Sequence, residues 1–260
     1  PYFRKIVHNY LRVWCDERGL DLYSDGLKIR TTLNSRIQVH AEAAVNEHMQ
    51  VLQGRFHKRF KDKNPWFDED LKEIPGFLKK VAKRTDYYRL LKKRYDGDED
   101  SIWHYMEIKH PRKIFTYEGE KDTILSAMDS LNYYKRFLQC GFMAMDPRDG
   151  HILAWVGGVD HKYFKFDHVR QSKRQPGSTF KPFVYLAAVQ GGYSPCYELQ
   201  DVPVTFHFGE KGDEDYKTWS PKNAEGFPSN KIFTLRQAMA RSINSIAAEM
   251  IKRVSPKKVV

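Results

Sequence analysis

Ser178 and Lys181 stand three positions apart in the stretch Gln175-Pro176-Gly177-Ser178-Thr179-Phe180-Lys181-Pro182. The pair supplies two needs of acyl transfer: a hydroxyl to attack a carbonyl, and an amine to take its proton. Phe180, Phe183, Val184, Ala187 and Ala188 follow at helical spacing, and Gly191-Gly192 closes the run. Ser178 then falls at the helix N-terminus, where unpaired N–H groups and the dipole favour negative charge. Lys181 lies one turn on, on the same face. A serine cap followed by a solvated lysine is the ordinary alternative. Two features argue for chemistry. The apolar run from Phe183 to Val189 predicts a buried helix, and a lysine entering one is costly without a partner or a task. Downstream, Ser242-Ile243-Asn244 breaks an otherwise helical pattern and puts two polar groups with directed hydrogen bonds at the junction. The ordinary reading there is Asn244 capping the second helix.

The elements that must position these groups are partly legible. Residues 1–20 form a helix with Phe3, Ile6, Val7, Tyr10, Leu11 and Trp14 on one face, stopped by Gly19. The alternation over 27–33 predicts a strand. Asn34 is placed to cap a helix whose stripe is Ile37, Ala41, Ala44, Val45, His48 and Leu52, with His48 packed rather than a ligand. Helical pieces are expected over 69–95, interrupted at Pro75-Gly76, and 96–100 reads as an exposed acidic loop. A further helix is expected from Ile124 to Leu138. Phe142 to Met145 and Ile152 to Val156 read as strands joined by a tight turn at Asp146-Pro147-Arg148-Asp149-Gly150. Being apolar on both faces, they suggest a sheet covered on both sides. With the Ser178 helix behind it, this predicts an α+β domain around a central antiparallel sheet. Residues 193–233 are expected to be loops and short strands, with Asp201-Val202-Pro203 and Trp219 to Asn223 as fixed points. Thr234 and Gln237 have the spacing of a capping box.

Composition narrows the class without choosing a function. The chain has 260 residues, 44 basic against 33 acidic, for a net charge of +11. That excess suits an anionic surface, acidic ligands or nucleic acid. No apolar run is long enough to span a membrane, and the opening Pro1-Tyr2-Phe3-Arg4-Lys5 does not read as a signal peptide. The chain opens without Met and is read as a piece of something longer. Cys15, Cys140 and Cys196 are widely spaced, which argues against a disulfide scaffold or a cysteine zinc site. No metal and no cofactor are expected. Residues 54–121 interleave Lys and Arg with Phe60, Trp66, Phe67, Tyr87, Tyr88, Tyr95, Trp103 and Tyr105. Such a pattern can form a single-strand nucleic-acid surface. It is also what a solvated helical insert looks like when long basic side chains cover aromatic rings, which is the reading favoured here.

Taken in order, Arg174 to Tyr185, then Trp219-Ser220-Pro221-Lys222-Asn223, then Thr234-Leu235-Arg236, then Ser242-Ile243-Asn244 resemble the transpeptidase domain of penicillin-binding proteins. The bifunctional class A type is the nearest match. Ile29 to Leu33 and Ala41 to Val45 resemble the segment linking that family's two catalytic domains. The resemblance implies a partial β-lactamase/transpeptidase-like helix-sheet-helix domain over 122–260, preceded by a mainly helical linker region over 1–53. Residues 54–121 match nothing recognisable and read as a lineage-specific insert. Carried over, Ser178 would be acylated by a D-Ala-D-Ala stem peptide or a β-lactam, with Lys181 as neutral general base. Ser242 would relay the proton to the leaving nitrogen. Asn244 would hydrogen-bond the substrate amide and Lys181. The longer protein would be anchored in the inner membrane on its periplasmic face, with no nucleic acid as partner.

The sequence departs from the family at the third motif, Lys-[Ser/Thr]-Gly. Lys217-Thr218-Trp219 precedes Ser242 and lacks the glycine, so it is rejected. The acidic motif of a glycosyltransferase half is also missing. The chain alone is therefore expected to acylate poorly or not at all. The competing readings are a β-lactamase or β-lactam sensor, and a non-catalytic basic binding module.

Overall fold

The computed structural model describes residues 1–61, 63–68, 70–209 and 216–260. Residue 69, at the start of the expected helical pieces, and residues 210–215, within the expected loops, lie outside the described residues. The chain forms two compact units, residues 1–172 and 173–260.

The first unit contains α1 (Tyr2–Asp16), α2 (Ser35–Arg59), α3 (Phe77–Ala82), α4 (Asp86–Arg94) and α5 (Glu99–Glu107). The hairpin β1 (His110–Thr116) and β2 (Gly119–Leu125) follows, then α6 (Ala127–Lys135) and the hairpin β3 (Phe142–Met145) and β4 (Ile152–Val156). Asn34 caps α2 by accepting from the N–H groups of Arg36 and Ile37, as its side chain suits it to do. The buried line of α2 runs Ala41, Val45, Met49 and Gln53, one residue every fourth position. His48 sits about 100° round the helix from Met49 and is exposed, so it is not the packed residue the stripe suggested. Gln53 is buried and polar, and its amide is fully used: it donates to the Arg136 carbonyl at 2.8 Å and accepts from Leu138 N–H at 2.8 Å. Gly157 lies against the Tyr2 ring, where an added Cβ would come within 2.6 Å of the ring. That explains the small residue after β4.

Several expectations fail here for local reasons. Residues 27–33 form no strand. They touch β4 through Thr32 Oγ1, which donates to the Ile152 carbonyl, and Asn34 N–H, which donates to the Leu153 carbonyl, so no ladder forms. The acidic run 96–100 is not simply a loop. Asp98 caps α5, and Glu99 and Asp100 occupy its first turn, where the helix dipole favours them. The helix expected from Ile124 starts only at Ala127, because Ser126 and Asp129 form a capping box that fixes its start. Ile124 and Leu125 belong to β2 instead. The expected breaks at 53/54 and 121/122 fall inside α2 and β2. Lys79 lies over the Trp103 ring at 5.4 Å, and Arg136 over Trp66 at 5.7 Å.

The second unit opens with a 3-10 turn, Gly177–Phe180, that runs directly into α7 (Lys181–Gln190). It continues with β5 (Glu198–Gln200), β6 (Phe206–Phe208), β7 (Lys217–Trp219), β8 (Ile232–Thr234), α8 (Leu235–Ala240), α9 (Asn244–Val254) and α10 (Pro256–Val259). Val184, Tyr185 and Ala188 of α7 pack with Leu235, Ala238, Ile246 and Met250 in one core. The other side of α7 is open: Phe183, Leu186 and Val189 are 55%, 56% and 48% exposed. The buried helix predicted from its composition is thus buried on one face only.

The central antiparallel sheet is not present among the described residues. Strands pair two by two, as β1-β2, β3-β4, β5-β8 and β6-β7. The β3-β4 hairpin belongs to the first unit and Ser178 to the second. Phe142, Met143 and Met145 on β3 are exposed, so the sheet is not covered on both sides. A short apolar run shows that a strand is compatible, not which faces are covered.

Candidate active site

Ser178 sits in the 3-10 turn rather than in the α-helix itself, behind Gly177 at φ +60°. Its carbonyl accepts the Lys181 N–H, so serine and lysine are separated by a single turn of backbone. Pro182 follows at the start of α7, where its missing N–H costs nothing. Ser178 is exposed, and its hydroxyl makes no hydrogen bond among the described residues.

Lys181 crosses to the junction between α8 and α9. Its Nζ donates to the Ser242 carbonyl at 2.6 Å and to Asn244 Oδ1 at 2.5 Å, and it lies 2.9 Å from Ser242 Oγ. The structure therefore joins Lys181, Ser242 and Asn244 by hydrogen bonds and leaves Ser178 beside them without one. A neutral amine fits this cage as well as an ammonium does. Two of its contacts are obligate acceptors, and the third, a hydroxyl, can donate to the lone pair. Burial pushes the Lys181 amine below the ordinary lysine range. No carboxylate among the described residues is its partner to hold the proton.

The junction is built by backbone geometry. α8 starts with the expected capping box of Thr234 and Gln237. It ends in a Schellman motif: Ser242 N–H donates to Met239 O at 3.0 Å, and Ile243 N–H to Ala238 O at 3.0 Å. The left-handed residue of this motif is usually glycine, but here it is Ser242, at φ +55°. That conformation turns the Ser242 carbonyl and hydroxyl toward Lys181. Replacing Ser242 by glycine is expected to stabilise the second unit by about 1 kcal/mol, by relieving the left-handed strain. The same change removes the hydroxyl beside Lys181. Urea unfolding gives the first effect and penicillin uptake the second; a lowered urea midpoint would contradict the account.

Asn244 does not cap α9. It is the helix's first residue, and Ile243 before it offers no side-chain cap. The cap comes from Asn223, whose Oδ1 accepts from Asn244 N–H at 2.9 Å and Ser245 N–H at 3.3 Å. Asn223 Nδ2 in turn donates to the Asp201 carboxylate at 2.9 and 3.2 Å. Asp201 is 2% exposed. Burial pushes its carboxyl up, but hydrogen bonds from Ser245, Ser229 and Asn223 outweigh this and hold it below the ordinary carboxylate range. The sequence marks Asp201 and Asn223 as fixed points without joining them to the site. Their only signal is an Asp next to Val-Pro and an Asn two after Pro. Lys217 to Trp219 forms β7, paired with β6 and exposed, and supplies no partner to Lys181. A cavity of about 740 Å³ is lined by residues of the first unit such as Arg112, Tyr134 and Phe164, and by none of the four site residues.

Comparison with known proteins shows the family to which the chain belongs. Residues 61–138 match the penicillin-binding protein middle domain, and 140–260 the penicillin binding protein transpeptidase domain. Most of the stretch 54–121, unmatched by motif reading, thus falls within the first of these. Penicillin-binding protein 1A of Rickettsia felis is 30% identical over 260 aligned residues, covering 92% of this chain and 32% of that protein. Penicillin-binding protein 2D of Bacillus subtilis is 43% identical over 112 residues, 43% of this chain and 16% of that one. The chain therefore spans about a third or less of these relatives. The crystal structure of penicillin-binding protein 1A from Haemophilus influenzae shares the fold, with a TM-score of 0.56 at 20% identity, over 97% of this chain and 40% of that one. Motif order, matched models and fold concur: the chain belongs to the penicillin-binding proteins and carries a penicillin-binding transpeptidase domain.

Proposed function

We propose that the second unit carries the acylating group set of a serine D,D-transpeptidase acting on D-Ala-D-Ala stem peptides. Ser178 Oγ attacks the carbonyl between the two D-Ala residues, and neutral Lys181 takes the hydroxyl proton. The tetrahedral intermediate collapses to a Ser178 ester as the C–N bond breaks, and Ser242 gives its hydroxyl proton to the departing D-Ala amine while taking back the one held by Lys181. An amine of a second stem peptide then attacks the ester, restoring Ser178 and forming the cross-link. The Ser178 N–H serves as one oxyanion donor, worth a few kcal/mol in such sites. Asn244 holds Lys181 on one side and the substrate amide on the other.

The observation that carries this reading is the Lys181 amine, caged by Ser242 and Asn244 with no carboxylate partner among the described residues, one turn after an exposed serine. In this reading the longer protein works at the periplasmic face of the inner membrane, paired with a glycosyltransferase, as the family resemblance suggests. Among the described residues no helix is long and apolar enough to cross a membrane.

The test is prolonged incubation of the chain with a fluorescent penicillin, followed by peptide mapping. A slow covalent adduct on Ser178 is expected, absent in Ser178→Ala. No serine adduct after hours at saturating penicillin, or one on another residue, overturns the assignment.

A further inference from the structure

Asp201 is a buried carboxylate with no ion-pair partner among the described residues, and it lies outside the acylating set. Such a group is costly unless its hydrogen bonds are complete. They are: Ser229 N–H donates at 2.7 Å, Ser229 Oγ at 2.8 Å, and Asn223 Nδ2 and Ser245 Oγ also donate to it. Its backbone is pinned as well, its N–H donating to Lys231 O at 2.8 Å and its carbonyl accepting from Asn230 N–H at 2.9 Å.

The polarity of these bonds propagates. An ionised carboxylate only accepts, so the Asn223 NH₂ must face it. The Asn223 oxygen is then forced toward the N–H groups of Asn244 and Ser245, and caps α9 from 21 residues away. The adjacent carbonyl, Lys222 O, accepts from Asn244 Nδ2 at 2.7 Å. A carbonyl also only accepts, so Asn244 must turn its oxygen to Lys181 Nζ. The Asp201 carboxylate thus sets the orientation of the Asn223 amide, and the Lys222 carbonyl, next to Asn223 in the chain, sets that of Asn244.

We propose that Asp201 is a positioning residue of the acylating site: through Asn223 it fixes the start of α9, and with it the position from which Asn244 reaches Lys181. This rests on the reading of Ser178, Lys181, Ser242 and Asn244 as that site. Asp201→Asn breaks the sequence of orientations, because an amide at 201 must either turn NH₂ toward Asn223, flipping it, or turn NH₂ toward Ser229 N–H. The exchange Asp201→Asn with Asn223→Asp restores a consistent pattern. The carboxylate at 223 then accepts from α9 and from the amide at 201, whose oxygen accepts from Ser229.

The readout is a pulse of acetic anhydride on the whole chain, with Lys181 modification measured by mass spectrometry against exposed Lys5 and Lys257. In Asp201→Asn, Lys181 is expected to react about tenfold faster relative to these references, the equivalent of losing one charge-assisted hydrogen bond. In the double exchange it returns to the wild-type ratio. Ser229→Ala removes a donor to Asp201 without touching Asn223, and leaves the ratio unchanged. A lowered melting point in Asp201→Asn with an unchanged ratio would reduce Asp201 to a loop anchor and overturn the proposal. A double exchange that stays as reactive as the single variant, or does not fold, overturns it too. Penicillin uptake at Ser178 is followed in the same samples. If the wild-type chain takes up none, the acylating assignment fails while the Lys181 ratios still decide the relay.

Discussion

Lys181→Met is expected to reduce penicillin uptake at Ser178 below detection. Methionine keeps the apolar stem of lysine, one atom shorter, and removes the amine, with its proton acceptor and its hydrogen-bond donors. A positioned general base contributes about 10²- to 10⁴-fold, and a loss of that order from an already slow reaction leaves nothing to measure. The pH profile of the unaltered chain follows from the same residue. In the proposed mechanism the working form is the neutral amine, so uptake is expected to rise with pH as Lys181 loses its proton. Burial lowers that transition, and among the described residues no acidic partner raises it again, so the rising limb should lie below the range of an exposed lysine. Time courses by intact mass at several pH values check both points. Uptake at the wild-type rate in Lys181→Met would remove Lys181 from the chemistry. Stability should fall little, because the cage is partly open to water and solvent can replace the lost donor.

Ile246→Ala is expected to cost about 2–5 kcal/mol, the range for emptying a packed aliphatic site. Ile246 is 1% exposed and sits in the core shared by α7, α8 and α9, beside Met250 at 0%. Domains carry about 5–15 kcal/mol in total, so the loss is a large fraction of what holds the second unit. The effect reaches the site through geometry. Ile246 is two residues after Asn244 on α9, and a helix that shifts to fill a cavity carries Asn244 away from Lys181. Hydrogen exchange at the amides of α7 and α9 measures it, with loss of protection expected in both. Protection equal to wild type would show that the core closes over the gap without strain.

Parts of the fold were legible because their cause is local. A capping residue acts within three positions, so Asn34 and the Thr234–Gln237 box follow from the letters alone. The turn between β3 and β4 is likewise written in Pro147 and Gly150, and the break at Ser242 in the polar residues that interrupt an apolar helix. The β1-β2 hairpin escaped notice because its strands are dense in charge, with only Ile114 and Phe115 buried. Strand pairing there is carried by main-chain bonds, which every sequence can make. The stretch 27–33 failed the other way: its alternation fits a strand, but no neighbour offers a full edge.

The chain's order of residues determined which groups could react: a hydroxyl at 178, an amine at 181, and polar partners at 242 and 244. Tertiary structure alone decided how they meet. It turned Lys181 toward Ser242 and Asn244 rather than Ser178, and left one face of α7 open. It also brought Asp201, Asn223 and Asn244 into one line of hydrogen bonds across 43 positions. The reason is directional. Residue type sets what a group can donate or accept, but its partner is whichever group the packed backbone delivers within about 3 Å, and that distance is not encoded in spacing along the chain.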